Sequence, residues 1–113
     1  MNQTTTQVRN RRITLRRRPK RNVKSTCRKG TLDLGPNLAI TVLDVSQTGI
    51  RLLTKEKLDS NQEVAVTLEG VHHHRPLRHA ARVIWCMETA DQKFCVGLCF
   101  EKRLPYGELI RMT

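Results

Sequence analysis

Beyond residue 21 the chain alternates apolar and polar residues with a period of two. "NVKSTCRKG" sets Val23, Ser25 and Cys27 on one face. "NLAITVLD" does the same with Leu38, Ile40 and Val42, and "GIRLLT" with Ile50 and Leu52. "EVAVTLE" aligns Val64, Val66 and Leu68. "PLRHAARVIWCMET" sets Leu77, His79, Ala81, Val83 and Trp85 against Arg78, Ala80 and Arg82. "KFCVGLCF" aligns Phe94, Val96, Leu98 and Phe100. A period of two predicts strands with one buried and one wet face. Turn-forming residues separate them: Leu34–Asn37, Ser46–Gly49, Leu58–Gln62 and Thr89–Gln92. No long segment repeats every 3.6 residues, and only Leu104–Thr113 suits a short helix. Six short strands, each with one apolar face, bury those faces together in a small closed barrel, which also removes exposed edges. The predicted fold is therefore all-β: a six-stranded antiparallel β-barrel with a flexible basic N-terminal arm and at most a short C-terminal helix.

Charge is distributed unevenly. The 113 residues carry 21 Lys+Arg and 10 Asp+Glu, a net charge of +11. Residues 1–30 hold 11 of the cations and no acid, so the remainder is neutral. Residues 1–15 are polar and basic and read as a disordered arm, with the domain at 16–113. In "RRRPKR", Arg16 to Arg21, five of six residues are cationic and the sixth is Pro19. A packed core has no use for such a run; an anionic partner does. No apolar run approaches the ~20 residues of a membrane span. No apolar segment of secretory type follows the first charges, which points to a cytoplasmic protein.

Cys27, Cys86, Cys95 and Cys99 form no C-x-x-C pair, so they read as strand residues rather than zinc ligands. His72, His73 and His74 are consecutive. In an extended segment they point alternately to opposite faces, which suits a polar hairpin connection better than a metal site.

Two motifs stand in order along this pattern. Arg17-Arg18-Pro19-Lys20-Arg21 is an R-x-x-x-R spacing just before the first strand. Asp44-Val45-Ser46-Gln47-Thr48-Gly49 is a D-x-S-x-x-G turn between the second and third. Together with "ARVIW" (Ala81–Trp85) and "VGLCF" (Val96–Phe100), they resemble the PilZ domain, the bacterial receptor module for cyclic di-GMP. The resemblance runs from about Arg16 to Leu104. It implies a bacterial, non-catalytic receptor that needs no cofactor and signals to a downstream protein partner. It also implies ligand contacts from Arg16, Arg17, Arg18, Arg21, Asp44, Ser46, Gly49 and Trp85. A basic residue at Arg16 implies two stacked ligand molecules. Two departures stand out: Thr48 replaces a frequent glycine, and Asn61 replaces the glycine usual before the fourth strand.

Chemistry supports the resemblance. An arginine fork matches phosphate oxygens and the O6/N7 edge of guanine. Pro19 keeps Arg18 extended, so Arg17 and Arg21 lie up to ~14 Å apart and can engage separate parts of a large ligand. A carboxylate at Asp44 can accept from a guanine N1–H and N2 amine. Ser46 offers a short donor or acceptor, and Gly49 permits positive φ or close approach to backbone. Trp85 suits either a guanine stack or the core. Arg51, facing away from Ile50, reads as a solvated strand residue in preference to a phosphate contact. The alternative function is a basic barrel that binds RNA or single-stranded nucleic acid. Against it, the four aromatics, Trp85, Phe94, Phe100 and Tyr106, all lie outside the basic arm. Asp44, Ser46 and His79 do not make a hydrolase, because no nucleophile elbow is present.

Overall fold

A computed structural model describes residues 16–20, 23–32, 34–70 and 77–113. The arm before Arg16, the His72–His74 connection and Arg21 fall outside the described residues. Six strands form where the alternation predicts them: β1 (Lys24–Lys29), β2 (Ala39–Val45), β3 (Gly49–Thr54), β4 (Glu63–Glu69), β5 (Leu77–Glu88) and β6 (Phe94–Phe100). One short helix follows, α1 (Tyr106–Met112). The strands make one antiparallel sheet in the order β1-β4-β5-β6-β3-β2. The sheet curls until its two edge strands approach, and the Leu38 N–H bonds to the Cys27 carbonyl at 2.8 Å. Asn37 joins the same seam: its Oδ1 accepts from the backbone N–H groups of Cys27 and Ala39. The result is a nearly closed barrel.

Its interior is apolar. Cys27, Ile50, Leu52, Val64, Val66, Leu68, Ala81, Val83, Val96 and Leu98 are buried there. Burial pushes the Cys27 thiol up to about 11, so it behaves as a small apolar side chain. Leu58 anchors the β3–β4 loop to this core. In that loop Asn61 holds φ 68°, a left-handed conformation that asparagine tolerates in place of the usual glycine. At the end where β2 turns into β3, α1 inserts Leu109 and Met112, and Leu104 packs just before it. Gln47 ties this segment to the turn, accepting the Leu104 N–H through its carbonyl and donating its side-chain amide to the Leu104 carbonyl.

Two positions depart from the predicted alternation, and both lie at bulges. In β2 the register slips between Ala39 and Thr41 and again between Val42 and Asp44. Ile40 therefore faces out at 41% exposure, while Ala39 and Val45 are buried. In β5 it slips between Val83 and Trp85. An extra residue in one strand reverses the facing of everything after it. Val83 faces the core opposite Leu98, but Trp85 pairs with Gly97 on the outside, and the half-buried Cys86 packs inward.

His79 lies on the inward face of β5, under α1. Its ring centroid is 5.5 Å from that of Phe100, and its Nε2 is 3.8 Å from Glu108 Oε1, too far for a hydrogen bond. Burial lowers its pKa below the ordinary value near 6.5, and the Glu108 charge offsets only part of that effect. The folded state thus prefers neutral His79. The stability this confers is complete above about pH 6.5 and is lost as the pH falls through the lower folded-state value. The melting temperature should drop between about pH 7 and pH 5, and His79→Gln should flatten that drop. Identical pH profiles for the two proteins would exclude His79 as its cause.

Candidate functional site

Outside the barrel, the basic run lies along the edge of β2. Arg17 and Val45 exchange two backbone hydrogen bonds, each 2.8 Å, as an isolated antiparallel bridge. The Lys20 N–H donates to the Met112 carbonyl at 2.7 Å. Residues 16–20 are therefore fixed at two points, on β2 and at the end of α1. Between this segment and β2 lies an open cleft of about 740 Å³. It is lined by Arg16, Arg17, Arg18, Pro19, Lys20 and Val23 on one side and by Thr41, Val42, Leu43, Asp44 and Arg51 on the other. Five cations thus face one carboxylate.

Asp44 is the electrostatic centre of the cleft. Its Oδ1 accepts from Arg16 Nη1 at 2.8 Å. Its Oδ2 accepts from Arg51 Nε at 2.6 Å and also from Arg51 Nη2. Burial pushes the Asp44 carboxyl up, but the hydrogen bonds from Arg51 and Arg16, with their charges, outweigh burial and hold it below the usual carboxylate range. Arg51 is in turn held more firmly charged by Asp44. The carboxylate and the Arg51 guanidinium are ionised at neutral pH.

The Ser46 hydroxyl turns inward instead. It accepts from the Gly49 N–H at 3.2 Å and the Thr48 N–H at 3.3 Å, while the Ser46 N–H donates to the Gly49 carbonyl at 2.8 Å. This closes the β2–β3 turn and leaves Ser46 only 2% exposed. Gly49 is buried, and its φ is not in the left-handed region. Its lack of a side chain serves β6, because a Cβ there would collide with the Leu98 carbonyl. Of the predicted contacts, Arg16, Arg17, Arg18 and Asp44 line the cleft, whereas Ser46 and Gly49 shape the turn behind it.

Trp85 stands farther along the same outer face. Asp44 pairs with Arg51, Arg51 with Gly97, and Gly97 with Trp85, one transverse row across four strands. The indole lies over Gly97, where an added Cβ would strike it. Gly97 is thus a flat seat for the half-buried ring.

Sequence reasoning did not single out Lys20 or Gly97, and it preferred a solvated strand face to a phosphate contact for Arg51. For Arg51 a signal was present. Closing the turn between Ser46 and Gly49 pairs Val45 with Ile50, and the next pair is Asp44 with Arg51. Gly97 had no such signal, because the bulge that brings Trp85 opposite it leaves no mark in the alternation. Among the described residues no cluster of three His, Cys, Asp or Glu side chains could hold a metal ion.

Two substitutions test this architecture. Ser46→Ala removes the turn's hydroxyl acceptor and should lower unfolding stability by about 1 kcal/mol in a denaturant titration. Gly97→Ala should lift the indole, and because Trp85 is the sole tryptophan, its fluorescence spectrum should shift while the far-ultraviolet dichroism stays that of the wild type. An unchanged spectrum would show that the ring does not rest on Gly97.

Comparison with known proteins gives one family match. The model of the PilZ domain matches residues 11–112. No curated protein matches the chain.

Proposed function

Since the chain belongs to the PilZ domain family, a family of cyclic di-GMP receptors, we propose that it binds cyclic di-GMP in the cleft between its basic segment and β2 and signals to a protein partner without catalysing a reaction. The observation that carries this reading is the charge of the cleft: Arg16, Arg17, Arg18, Lys20 and Arg51 against Asp44 alone. Such a surplus favours a compact ligand with more than one negative charge. A cyclic dinucleotide brings two phosphates for the guanidinium forks and two bases for stacking.

In this reading Arg17 and Arg18 engage phosphate or the guanine O6/N7 edge, and Arg16 supplies the cation for a second, stacked ligand. Trp85 gives a base an aromatic face beside the cleft. Arg21 completes the R-x-x-x-R motif; its role rests on the family motif, as it lies outside the described residues. Ser46 and Gly49 contribute by fixing the turn that carries Asp44. The switch is a closing of the basic segment over the ligand, which neutralises like charges and presents a new surface to the partner. It is narrower than the motif alone implies, because the backbone of Arg17 and Lys20 is already bonded to Val45 and Met112.

Calorimetry with cyclic di-GMP, GMP and cyclic di-AMP tests the reading. Cyclic di-GMP should bind selectively, with two molecules per chain. Arg17→Ala should weaken it about tenfold or more, since losing one partner of a buried charge-assisted bond costs about 2–5 kcal/mol. Amide exchange across residues 10–22 should slow when ligand is added. A chain that binds single-stranded RNA but gives no heat with cyclic di-GMP would overturn the proposal. A stoichiometry of one would remove the stacked pair, and unchanged exchange would remove the switch.

A further inference from the structure

Arg51 reads in the sequence as a solvated strand residue, yet it lies inside the cleft, bound to its only carboxylate among the described residues. We propose that Arg51 is a phosphate-binding residue of this site, and that Asp44 acts as a clamp presenting Arg51 and Arg16 to the ligand together. The proposal rests on the cyclic di-GMP reading above and adds a contact that the two sequence motifs do not contain.

Donor geometry supports it first. A guanidinium has five N–H donors, arranged as a fixed fork. Arg51 directs Nε and Nη2 at Asp44 Oδ2, which leaves both Nη1 hydrogens and the second Nη2 hydrogen on the opposite edge. Arg16 commits only Nη1. The two side chains are 41% and 50% exposed, whereas Asp44 is 9% exposed. The acid is therefore spent on orienting the bases, and the bases keep an open edge toward the cleft. One carboxylate between two guanidinium groups leaves one uncompensated positive charge at a fixed place. That arrangement suits a phosphate, because the orientation is set before the ligand arrives.

Placement supports it second. Arg51 and Trp85 flank Gly97 in the same cross-strand row. Two strand spacings, about 10 Å, separate their backbones. A nucleotide whose base lies on the Trp85 indole has its backbone phosphate within reach of a long side chain at Arg51. The same geometry gives Asp44 a second task beside reading a guanine edge. Oδ2 accepts two bonds from Arg51 and Oδ1 one from Arg16, so much of its effect on binding passes through the two arginines it holds, while Oδ1 keeps one acceptor site for a guanine N–H.

The test is calorimetry with cyclic di-GMP at several salt concentrations, with melting curves to confirm that each variant is folded. Arg51→Ala should weaken binding about tenfold or more and make the affinity less sensitive to salt. Arg51→Lys, which keeps the charge but loses the fork, should fall between Arg51→Ala and wild type. In an Asp44→Asn background Arg51→Ala should cost less than in wild type, because the clamp is already open. Wild-type binding with an unchanged affinity for folded Arg51→Ala overturns this proposal alone. Costs that add in the double variant overturn the clamp. A wild-type chain that gives no heat with cyclic di-GMP overturns the receptor reading and this proposal with it.

Discussion

The two backbone hydrogen bonds between Arg17 and Val45 decide where the charged segment can act. Without them, a run of like charges has no reason to lie against a neutral barrel. With them, Arg17 is registered on the last residue of β2, and Arg16, one step on and across from Ser46, reaches back with its side chain to Asp44. The carboxylate then binds a guanidinium from the segment and another from β3. Main-chain bonds set the register, and charge acts within it. The ion pairs are half exposed and stabilise the fold only modestly. Their main effect is on orientation.

The outer face of the sheet owes its chemistry to irregularity. A barrel with strict alternation would keep Trp85 inside with Ala81 and Val83. The β5 bulge turns it out, and Gly97 opposite leaves it room to lie flat. The bulges of β2 act similarly at the other side of the row, where Val42 and Val45 are buried on either side of the outward Leu43 and the charged Asp44. Bulges concentrate where a sheet must re-aim side chains, and here they assemble carboxylate, guanidinium and indole along one line.

The cleft is also joined to the core. Lys20 donates to the carbonyl of Met112, whose side chain is fully buried beneath α1. Gln47, in the turn that follows Asp44 and Val45, is tied to Leu104 just before α1. The basic segment, the β2–β3 turn and the terminal helix thus meet at one end of the barrel. Their connections are main-chain hydrogen bonds, the Gln47 side-chain amide and buried apolar contacts.

The sequence by itself determined the strands, the turns, the short helix and the unequal charge, because these follow from local periodicity and composition. It also marked Arg16–Arg18 and Asp44, since an arginine run and a D-x-S-x-x-G turn are visible as motifs. Tertiary structure decided what pairs with what. The Ser46 hydroxyl closes its own turn, and Gly49 makes room for a neighbouring carbonyl rather than for a left-handed φ. Arg51 looked like surface and lines the cleft. Ile40 looked inward and faces out, and Trp85, which suited either the core or a guanine stack, faces out. Each difference has one physical origin: cross-strand register and bulges are set by packing between distant segments, and a one-residue slip that leaves composition untouched moves a side chain from the core to the site.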